Sequence, residues 1–361
     1  MLIRAGVIGP SGVGGLHVDA LRRLGVSVIG LAAATPEIAR RDAERLGVAR
    51  VFASGEELIA SDEVDVVHVC TPNALHLPLA RAALRAGKHL VVEKPLCIYA
   101  NDAEELLQMA SDAGVVHALC HTYRHYPMLR ALRELIARGE LGRVRTLRVA
   151  WLNEELLTVD AGHWMLDPRQ MGPSLSLADV GIHLWDLVEH VGGVEISEVL
   201  CETRTAKPGG GEDSALLVLR LKGGAIASAF VSQAAPGHSN TVSLEAIGER
   251  ASAAWDIRAA DVLTVRHLGG NSRLVERGTI PAQDLGAGGR LPPGQPEGHA
   301  EALLGLLGAV YEHVDSGEQL TEYPTFVDGV RGLQVLEALR QSAQKGRWHP
   351  VDASRRQPRH R

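Results

Sequence analysis

Residues 89–95 read His89-Leu-Val-Val-Glu-Lys-Pro95, a short apolar run that ends in a charged pair and a proline. The segment before it has helical spacing and ends at Gly87, so the run is predicted to be a buried parallel strand. In a doubly wound sheet the carboxyl ends of the strands border the ligand crevice, where Lys94 would then lie. Pro95 disfavours a helical backbone at Lys94 and so gives the lysine a defined direction. The alternative is a solvated lysine in a loop that ends a strand.

The same pattern of strand and helix extends over the first third of the chain. Apolar, β-branched runs predict strands over residues 2–8, 26–31, 64–70, 89–92 and 115–120. Helical spacing predicts helices over 16–24, 36–46, 77–86 and 101–113, with Asn101 as the N-cap of the last. A capping-box pattern starts a further helix at Ser54. The alternation predicts an α/β fold with a doubly wound parallel sheet.

The first strand is followed by a glycine-rich loop, Gly9-Pro-Ser-Gly-Val-Gly-Gly15, and then by a helix. In that context glycines let backbone N–H groups approach a pyrophosphate at the positive end of the helix. The predicted dinucleotide contacts in the loop are Gly9, Ser11, Gly12, Val13 and Gly14. Ser11 stands where the middle glycine is expected. Its side chain would narrow the space through which a phosphate approaches the loop backbone, although its hydroxyl could donate to that phosphate. A purely structural glycine turn is the alternative.

Cofactor contacts are also predicted where later strands end. An NAD-binding unit usually carries an acidic residue after its second strand, but this chain has Ala33, Ala34 and Thr35 there. The missing acid predicts that NADP binds at least as well as NAD, with Arg40 and Arg41 as sources of positive charge unless they are merely solvated. The other predicted contacts are Thr71, Pro72, Asn73, His76, Glu93 and Lys94. A helix N-cap turn would equally explain Thr71 or Asn73.

After Tyr123 the chain changes character. Alternating runs over 214–221, 225–233 and 241–247 are separated by glycine-bearing turns, which predicts an open, mostly antiparallel sheet. Two helices, over 297–314 and 325–345, close the chain. We predict a dinucleotide-binding domain over residues 1–122, a substrate-binding and oligomerisation domain over 123–352, and a basic tail over 353–361. The open sheet face predicts a homodimer or homotetramer, with solvent as the alternative.

The segment 174–190 carries Asp179 and His183 at a spacing of four, which places both on one face of a predicted helix. A carboxylate beside a histidine favours the imidazolium and orients the ring, as suits a general base near neutral pH. One alternative is an incidental ion pair on a surface helix. A metal site with His163 or His190 is another, but no third ligand has a recognisable spacing, and we predict no metal.

Composition limits the classes of function. The 361 residues carry a formal net charge of −6, which gives no electrostatic case for nucleic acid or an anionic membrane. No apolar run approaches the length of a membrane span, and we expect no signal peptide before the first strand. The four cysteines, at 70, 97, 120 and 201, have neither metal spacing nor a disulfide framework. A cytoplasmic protein is predicted.

Several motifs together resemble the Gfo/Idh/MocA family of glucose-fructose oxidoreductase and inositol dehydrogenase. They are Gly14-Gly-Leu-His17, Thr71-Pro-Asn73 with His76, Glu93-Lys94-Pro95, Asp179-Val-Gly-Ile-His183, and the later stretches 323–329 and 346–349. The resemblance runs from residue 2 to about residue 351. It implies a Rossmann domain, a second α/β domain with an open sheet, oligomers formed through that sheet, and NAD(P)-dependent redox chemistry on sugars or polyols.

By position, Lys94, Asp179 and His183 match the family's catalytic lysine, aspartate and histidine. His183 would take the hydroxyl proton and Lys94 would bind the same oxygen, while Asp179 would orient His183 or hold a neighbouring hydroxyl. Further substrate contacts are predicted at Tyr123, His163, Trp164, Asp167 and Arg169. Ser174-Leu175 replace the usual glycine pair ahead of the aspartate, which would reshape the substrate pocket.

A dehydrogenase acting on a sugar, a sugar derivative or a polyol is therefore the predicted function. An NAD-dependent glycosidase, which some members of this family are, would instead release product without net reduction of cofactor. A non-catalytic NAD(P)-sensing protein would bind the cofactor and turn nothing over. Retention of the lysine, aspartate and histidine argues against the sensor.

Overall fold

The computed structural model describes residues 3–160, 162–205, 211–279 and 289–351. The chain forms two compact units. The first comprises 1–127, 169–172 and 281–330, and the second comprises 128–168, 173–280 and 331–361. The units are thus discontinuous in sequence, whereas the two predicted domains are continuous. The predicted basic tail lies outside the described residues.

The first third of the chain alternates strands with helices. In order these are β1 (Arg4–Ile8), α1 (Val13–Arg23), β2 (Ser27–Ala32), α2 (Pro36–Leu46), α3 (Gly55–Ala60), β3 (Val66–Val69), α4 (His76–Arg85), β4 (His89–Val92), α5 (Ala100–Ala113) and β5 (His117–Leu119). Helix ends follow local chemistry: Thr35 caps α2, and Gly47 ends it at a φ of 62°. The predicted N-cap of α5 is wrong, because Tyr99 precedes that helix and Asn101 lies inside it.

The five strands form one parallel sheet in the order β2-β1-β3-β4-β5, as predicted. Strand β1 pairs with β2 on one side and with β3 on the other, so the connections run in opposite directions from its carboxyl end. Such a switch point is where doubly wound sheets bind ligands. The side chains of β3 are all buried, and three of the four are valines, with His68 as the polar exception.

The rest of the chain begins with a helix and then forms mostly strands. The elements are α6 (Pro127–Ala137), β6 (Val144–Leu152), α7 (Glu155–Thr158), α8 (Pro168–Met171), α9 (Ile182–Gly192), β7 (Ile196–Arg204), β8 (Ser214–Leu221), β9 (Ile226–Ser232), β10 (Thr241–Gly248), β11 (Ala251–Asp256), β12 (Val262–His267), β13 (Ser272–Glu276), α10 (His299–Ser316), α11 (Phe326–Lys345) and β14 (His349–Pro350).

Helix α10 belongs to the first unit, although about two hundred residues separate it from the parallel sheet. Leu303, Leu306 and Leu307 lie in one buried cluster with Val18 and Leu21 of α1. Burial of each such side chain contributes about 1.5–3 kcal/mol. The helix therefore completes the core on which α1 and its preceding loop rest.

The second unit is built on a nine-stranded sheet in the order β13-β12-β11-β10-β6-β9-β8-β7-β14. Neighbouring strands within the sheet are antiparallel except for β6 and β9, which run parallel to each other. Side chains alternate along β8 and β9: one set is buried, and the other leaves Leu216, Val218 and Phe230 exposed. The predicted open, mostly antiparallel sheet is confirmed.

Helix α9 lies against the buried side of this sheet and is held by polar contacts from α11. Trp185 Nε1 donates to the Gly332 carbonyl at 3.1 Å. Arg331 pairs with Glu189 at 2.6 Å and also donates to the Ile196 carbonyl. None of the helices in the described part of the chain is long and apolar enough to cross a membrane.

Candidate active site

The glycine loop of the first unit is built for close backbone contact. A Cβ on Gly9, whose φ is +84°, would lie 2.5 Å from the Cys70 carbonyl oxygen, and one on Gly14 would lie 2.1 Å from that of Gly9. Gly12 precedes α1, and a Cβ there would meet nothing within 4 Å. The first turn of α1 carries no acidic residue. An open helix N-terminus of this kind suits a pyrophosphate.

Ser11 is tied to the neighbouring helix α2. Its hydroxyl donates to Asp42 Oδ2 at 2.5 Å, and Asp42 is 2% exposed. Arg45 lies 3.4 Å from the same carboxylate and donates to the Pro10 carbonyl at 3.3 Å. The hydroxyl predicted as a phosphate donor is thus engaged with Asp42 in this structure. Asp42 was not predicted, because it lies thirty-one positions from Ser11.

The end of β2 carries no acidic side chain at Ala33 or Ala34. Thr35 Oγ1 caps α2 by accepting from the Ile38 N–H at 3.3 Å. Arg40 pairs with Glu37 at 2.8 Å, and Arg41 lies 3.5 Å from Asp42. The positive charges predicted to attract a 2′-phosphate are therefore partly balanced by carboxylates on α2.

The ends of β3 and β4 are joined through His76. Its ring nitrogens lie 2.7 Å from the Pro95 carbonyl oxygen and 2.8 Å from that of Thr71. Burial lowers the pKa of His76. Thr71 Oγ1 is buried and has no hydrogen-bond partner among the described residues. An orphaned hydroxyl at this strand end suits a polar ligand, as predicted for a cofactor ribose or phosphate.

Four more predicted contacts lie at these strand ends. Pro72 leads into a 3-10 turn over Asn73–Leu75. The Asn73 amide donates to the Met171 carbonyl at 3.1 Å. Lys94 is the second residue after β4, and its peptide bond to Pro95 is cis. Glu93 is buried and lies 3.1 Å from His17, so its carboxylate faces the interior of the unit.

Asp179 and His183 lie in the second unit. The single helix predicted over 174–190 is in part wrong: Leu177–Gly181 forms a π-helical turn, and α9 begins at Ile182. A π turn changes which residues share a face, and such turns are frequent at functional sites. Asp179 Oδ2 accepts from Gln233 Nε2 at 3.0 Å. The buried His183 ring stacks on Trp151, with the ring centroids 5.1 Å apart.

The residues before the π turn are anchored by one carboxylate. Glu212 Oε1 accepts from the Ser174 hydroxyl at 2.6 Å, from the Leu175 N–H at 2.8 Å and from the Leu177 N–H at 3.1 Å. A Cβ on Gly211 would lie 2.9 Å from the Leu175 Cβ, so the two segments pack closely. The Ser174 hydroxyl thus makes a contact that a glycine could not make, whereas the Leu175 contact uses a backbone N–H that a glycine would also have.

The other predicted substrate contacts occupy varied surroundings. His163 and Trp164 have ring centroids 5.9 Å apart, and the buried His163 Nδ1 has no hydrogen-bond partner among the described residues. Asp167 lies just before α8 and Arg169 within it, where Arg169 is exposed. Tyr123 is 4% exposed and stacks on Tyr126. Their contact with a substrate stays a prediction.

Sequence reasoning missed Gln233 and Trp151. Gln233 follows β9, and its Oε1 is buried without a hydrogen-bond partner among the described residues, while its Nε2 holds Asp179. Trp151 lies on β6 and contributes the face against which His183 stacks. A polar residue directly after an alternating strand was the only signal for Gln233. Nothing in the local pattern distinguished Trp151 from a core tryptophan.

Two family models match the chain. Residues 3–121 match the oxidoreductase family with an NAD-binding Rossmann fold, and residues 129–254 match the GFO/IDH/MocA C-terminal domain. Levoglucosan dehydrogenase of Pseudarthrobacter phenanthrenivorans is 25% identical, over 89% of this chain and 88% of the relative. The 1,5-anhydro-D-fructose reductase of Ensifer adhaerens is 33% identical, over 62% of this chain and 67% of the relative.

A solved structure extends the likeness to the fold. The inositol dehydrogenase homologue from Azotobacter vinelandii, complexed with NAD⁺, has a TM-score of 0.89 and 29% identity, covering 96% of this chain and 97% of that one. The likeness therefore extends over nearly the whole length of both chains. The chain belongs to the Gfo/Idh/MocA family and is an oxidoreductase with an NAD-binding Rossmann domain.

Proposed function

We propose that this protein is an NAD(P)-dependent dehydrogenase that acts on a carbinol or carbonyl carbon of a sugar, a sugar derivative or a polyol. The observation that carries the proposal is the position of Lys94. It follows β4 at the same edge of the parallel sheet as the glycine loop, which follows β1. A cation beside a dinucleotide site is suited to bind the oxygen of a reacting hydroxyl.

The proposed chemistry gives Lys94, His183 and Asp179 separate roles. The nicotinamide, when bound, accepts or supplies the hydride. Lys94 binds the substrate oxygen and stabilises the negative charge that develops there as its proton leaves. His183 takes that proton as general base, and Asp179, itself held by Gln233, orients His183 or a neighbouring hydroxyl. Stacking on Trp151 limits rotation of the His183 ring and so helps to keep the ring in one orientation.

The names of two relatives support a carbohydrate substrate, since one is a levoglucosan dehydrogenase and the other a 1,5-anhydro-D-fructose reductase. The experiment is a panel of sugars, anhydrosugars and inositols incubated with NAD⁺ or NADP⁺ and followed by the absorbance of reduced nicotinamide. We expect at least one carbohydrate to give net reduction. Glycoside cleavage without net reduction would favour the glycosidase, and cofactor binding with no turnover across the panel would favour the sensor.

We also propose that NADP binds at least as well as NAD, with use of both favoured over strict selectivity. Ala33→Asp should shift the ratio of affinities toward NAD by about ten- to a hundredfold, because the new carboxylate would accept ribose hydrogen bonds and repel a 2′-phosphate. Titration of both cofactors against the wild type and the variant measures this. Ala60→Asp, which adds the same charge at the exposed end of α3, is the control. A wild type that prefers NAD by more than about tenfold would contradict the prediction.

The exposed face of the nine-stranded sheet supports a homodimer or homotetramer. Leu216 and Phe230 are directly paired across β8 and β9 and are 60% and 40% exposed. Contiguous apolar side chains on one face are typical of an interface. A second copy of this chain is the occupant we propose, because the Arg148–Glu245 pair on the neighbouring strands β6 and β10 offers both charges to an identical partner.

Phe230→Arg should convert the oligomer to a monomer, because each copy would bury an unpaired guanidinium at the interface. Light scattering during size-exclusion chromatography at micromolar concentration measures the change. Leu320→Arg is the matched control, since Leu320 is 63% exposed and belongs to the first unit, whereas the nine-stranded sheet belongs to the second. A monomeric wild type would contradict the proposed assembly.

We further propose a cytoplasmic location. The four cysteines are free and buried, as thiols are in a reducing compartment.

A further inference from the structure

A chain of buried polar side chains lies beneath the end of β4, within the first unit. The Tyr311 hydroxyl lies 2.9 Å from His68 Nε2, and His68 Nδ1 lies 2.8 Å from His17 Nδ1. His17 Nε2 lies 3.1 Å from Glu93 Oε1, and Glu93 Oε2 accepts from the Lys94 backbone N–H at 3.2 Å. His17 and His68 are both 0% exposed. This series of hydrogen-bonded side chains therefore connects α10 to the backbone of Lys94 through buried groups.

The positions of the protons along this chain follow from its partners. Burial lowers the pKa of His68 well below its usual value, so this ring is neutral. Burial also opposes a charge on His17, yet the pKa of His17 lies well above its usual value. The carboxylate of Glu93, 3.1 Å from His17 Nε2, is the negative charge in contact with the ring. With both nitrogens protonated, His17 donates to His68 Nδ1 and to Glu93. His68 then carries its proton on Nε2 and donates to the Tyr311 oxygen.

The charge that balances His17 is the Glu93 carboxylate. Burial alone would raise the pKa of Glu93, yet the hydrogen bond and the positive charge of His17 hold it at about 2. Burial raises the pKa of the Cys120 thiol to about 12, so that group is neutral near pH 7. The other titratable groups that face Glu93 among the described residues are Cys70, whose pKa burial raises, and His76, His299 and Lys94.

We propose that His17 is a positioning residue whose buried imidazolium keeps Glu93 a carboxylate and holds it against the Lys94 backbone. Glu93 in turn accepts from the Lys94 backbone N–H and so fixes the direction in which Lys94 leaves β4. Tyr311 and His68 hold the far side of the His17 ring. The inference rests on the proposed role of Lys94 in turnover. It assigns a function to His17 and Glu93, neither of which touches a reacting atom.

His17→Gln should lower kcat/KM and should also change how kcat/KM depends on pH. In the wild type the Glu93 carboxylate is ionised from pH 5 upward, since its pKa is about 2. Without the cation, burial raises the pKa of Glu93, so the group takes up a proton as the pH falls. We expect a loss of roughly tenfold at pH 8.5 and of a further tenfold or more by pH 6. A loss that is uniform across this range would overturn the proposal.

His117→Gln is the matched control. His117 is a half-buried histidine on β5 of the same unit, and its Nδ1 accepts from the Phe326 N–H at 3.2 Å. Its replacement should leave the shape of the profile unchanged. Thermal melting and NADH titration of both variants establish that each is folded and binds cofactor.

A second measurement tests the inference without any substrate. Nitrogen NMR of wild-type protein labelled at histidine should show one ring, absent from His17→Gln, that carries protons on both nitrogens at pH 7.5 and keeps them at pH 8.5. A singly protonated His17 would overturn the proposal even if Lys94 is essential. So would a stoichiometric metal ion, because the ligand atoms of His17, Glu93 and Cys120 lie within 4.8 Å of one another. If the protein oxidises no carbohydrate but His17 is doubly protonated, the proposed function fails and the buried ion pair stands.

Discussion

Lys94→Met should lower kcat by about 10²–10³ while leaving the affinity for NAD(P)H nearly unchanged. The substitution keeps an unbranched side chain one atom shorter than lysine and removes the ammonium group that stabilises the developing alkoxide. Loss of one preorganised donor of this kind costs about 2.7–4 kcal/mol in the transition state. Steady-state turnover on the best carbohydrate of the panel, together with fluorescence titration of the reduced cofactor, measures the two quantities separately.

Lys88→Met is the matched control for this variant. Lys88 immediately precedes β4, at the opposite edge of the sheet, where its Nζ donates to the carbonyls of Ser61 at 2.9 Å and Val64 at 2.8 Å. Its loss should lower the melting temperature and leave kcat within a few-fold of the wild type. Near-normal turnover in Lys94→Met would show that another group binds the substrate oxygen.

His183→Asn should lower kcat by about 10²–10⁴, because a positioned general base contributes that much to proton transfer. The amide can still donate and accept hydrogen bonds, so the loss reports the missing base. His183 lies in the first turn of α9, and its ring packs on Trp151. Some loss of stability is therefore expected, and melting temperatures must accompany the kinetic measurements.

His190→Asn separates the base from the helix. His190 lies on α9 as well, about two turns further on, with its ring 3.4 Å from the Arg133 guanidinium. The same substitution there changes helix propensity equally and should leave kcat within a few-fold. If His183→Asn turned over as fast as His190→Asn, the proton would leave through another group and the assignment of His183 would be wrong.

The parallel sheet was predictable because local pattern and tertiary role agree there. The run from His89 to Val92 forms β4 with the predicted bounds, since a strand buried on both faces needs an unbroken apolar sequence. The position of Lys94 after that strand followed at once. The predicted ends of α2 were also correct, because Thr35 and Gly47 carry their own capping chemistry.

The features that were not predicted depend on distant pairing or on small changes of helix geometry. The Ser11–Asp42 bond and the chain from Tyr311 to His17 join residues whose separation in sequence gives no signal. The π turn at Leu177–Gly181 has the same apolar spacing as the α-helix expected there, so periodicity could not distinguish them. Gln233 became a partner of Asp179 only through the placement of β9.

The return of the chain to form α10 limits how this enzyme can be divided or recombined. A fragment that stopped at residue 122 would contain every predicted contact with the dinucleotide, yet it would leave the α1 side chains Val18 and Leu21 without the leucines of α10. It would also leave His68 without its Tyr311 partner. Exchange of cofactor-binding modules between relatives therefore has to transfer more than the N-terminal piece of the gene, because the piece that encodes residues 299–316 must accompany it. A crossover that moves only the N-terminal piece would leave α1 of one relative to pack against α10 of the other.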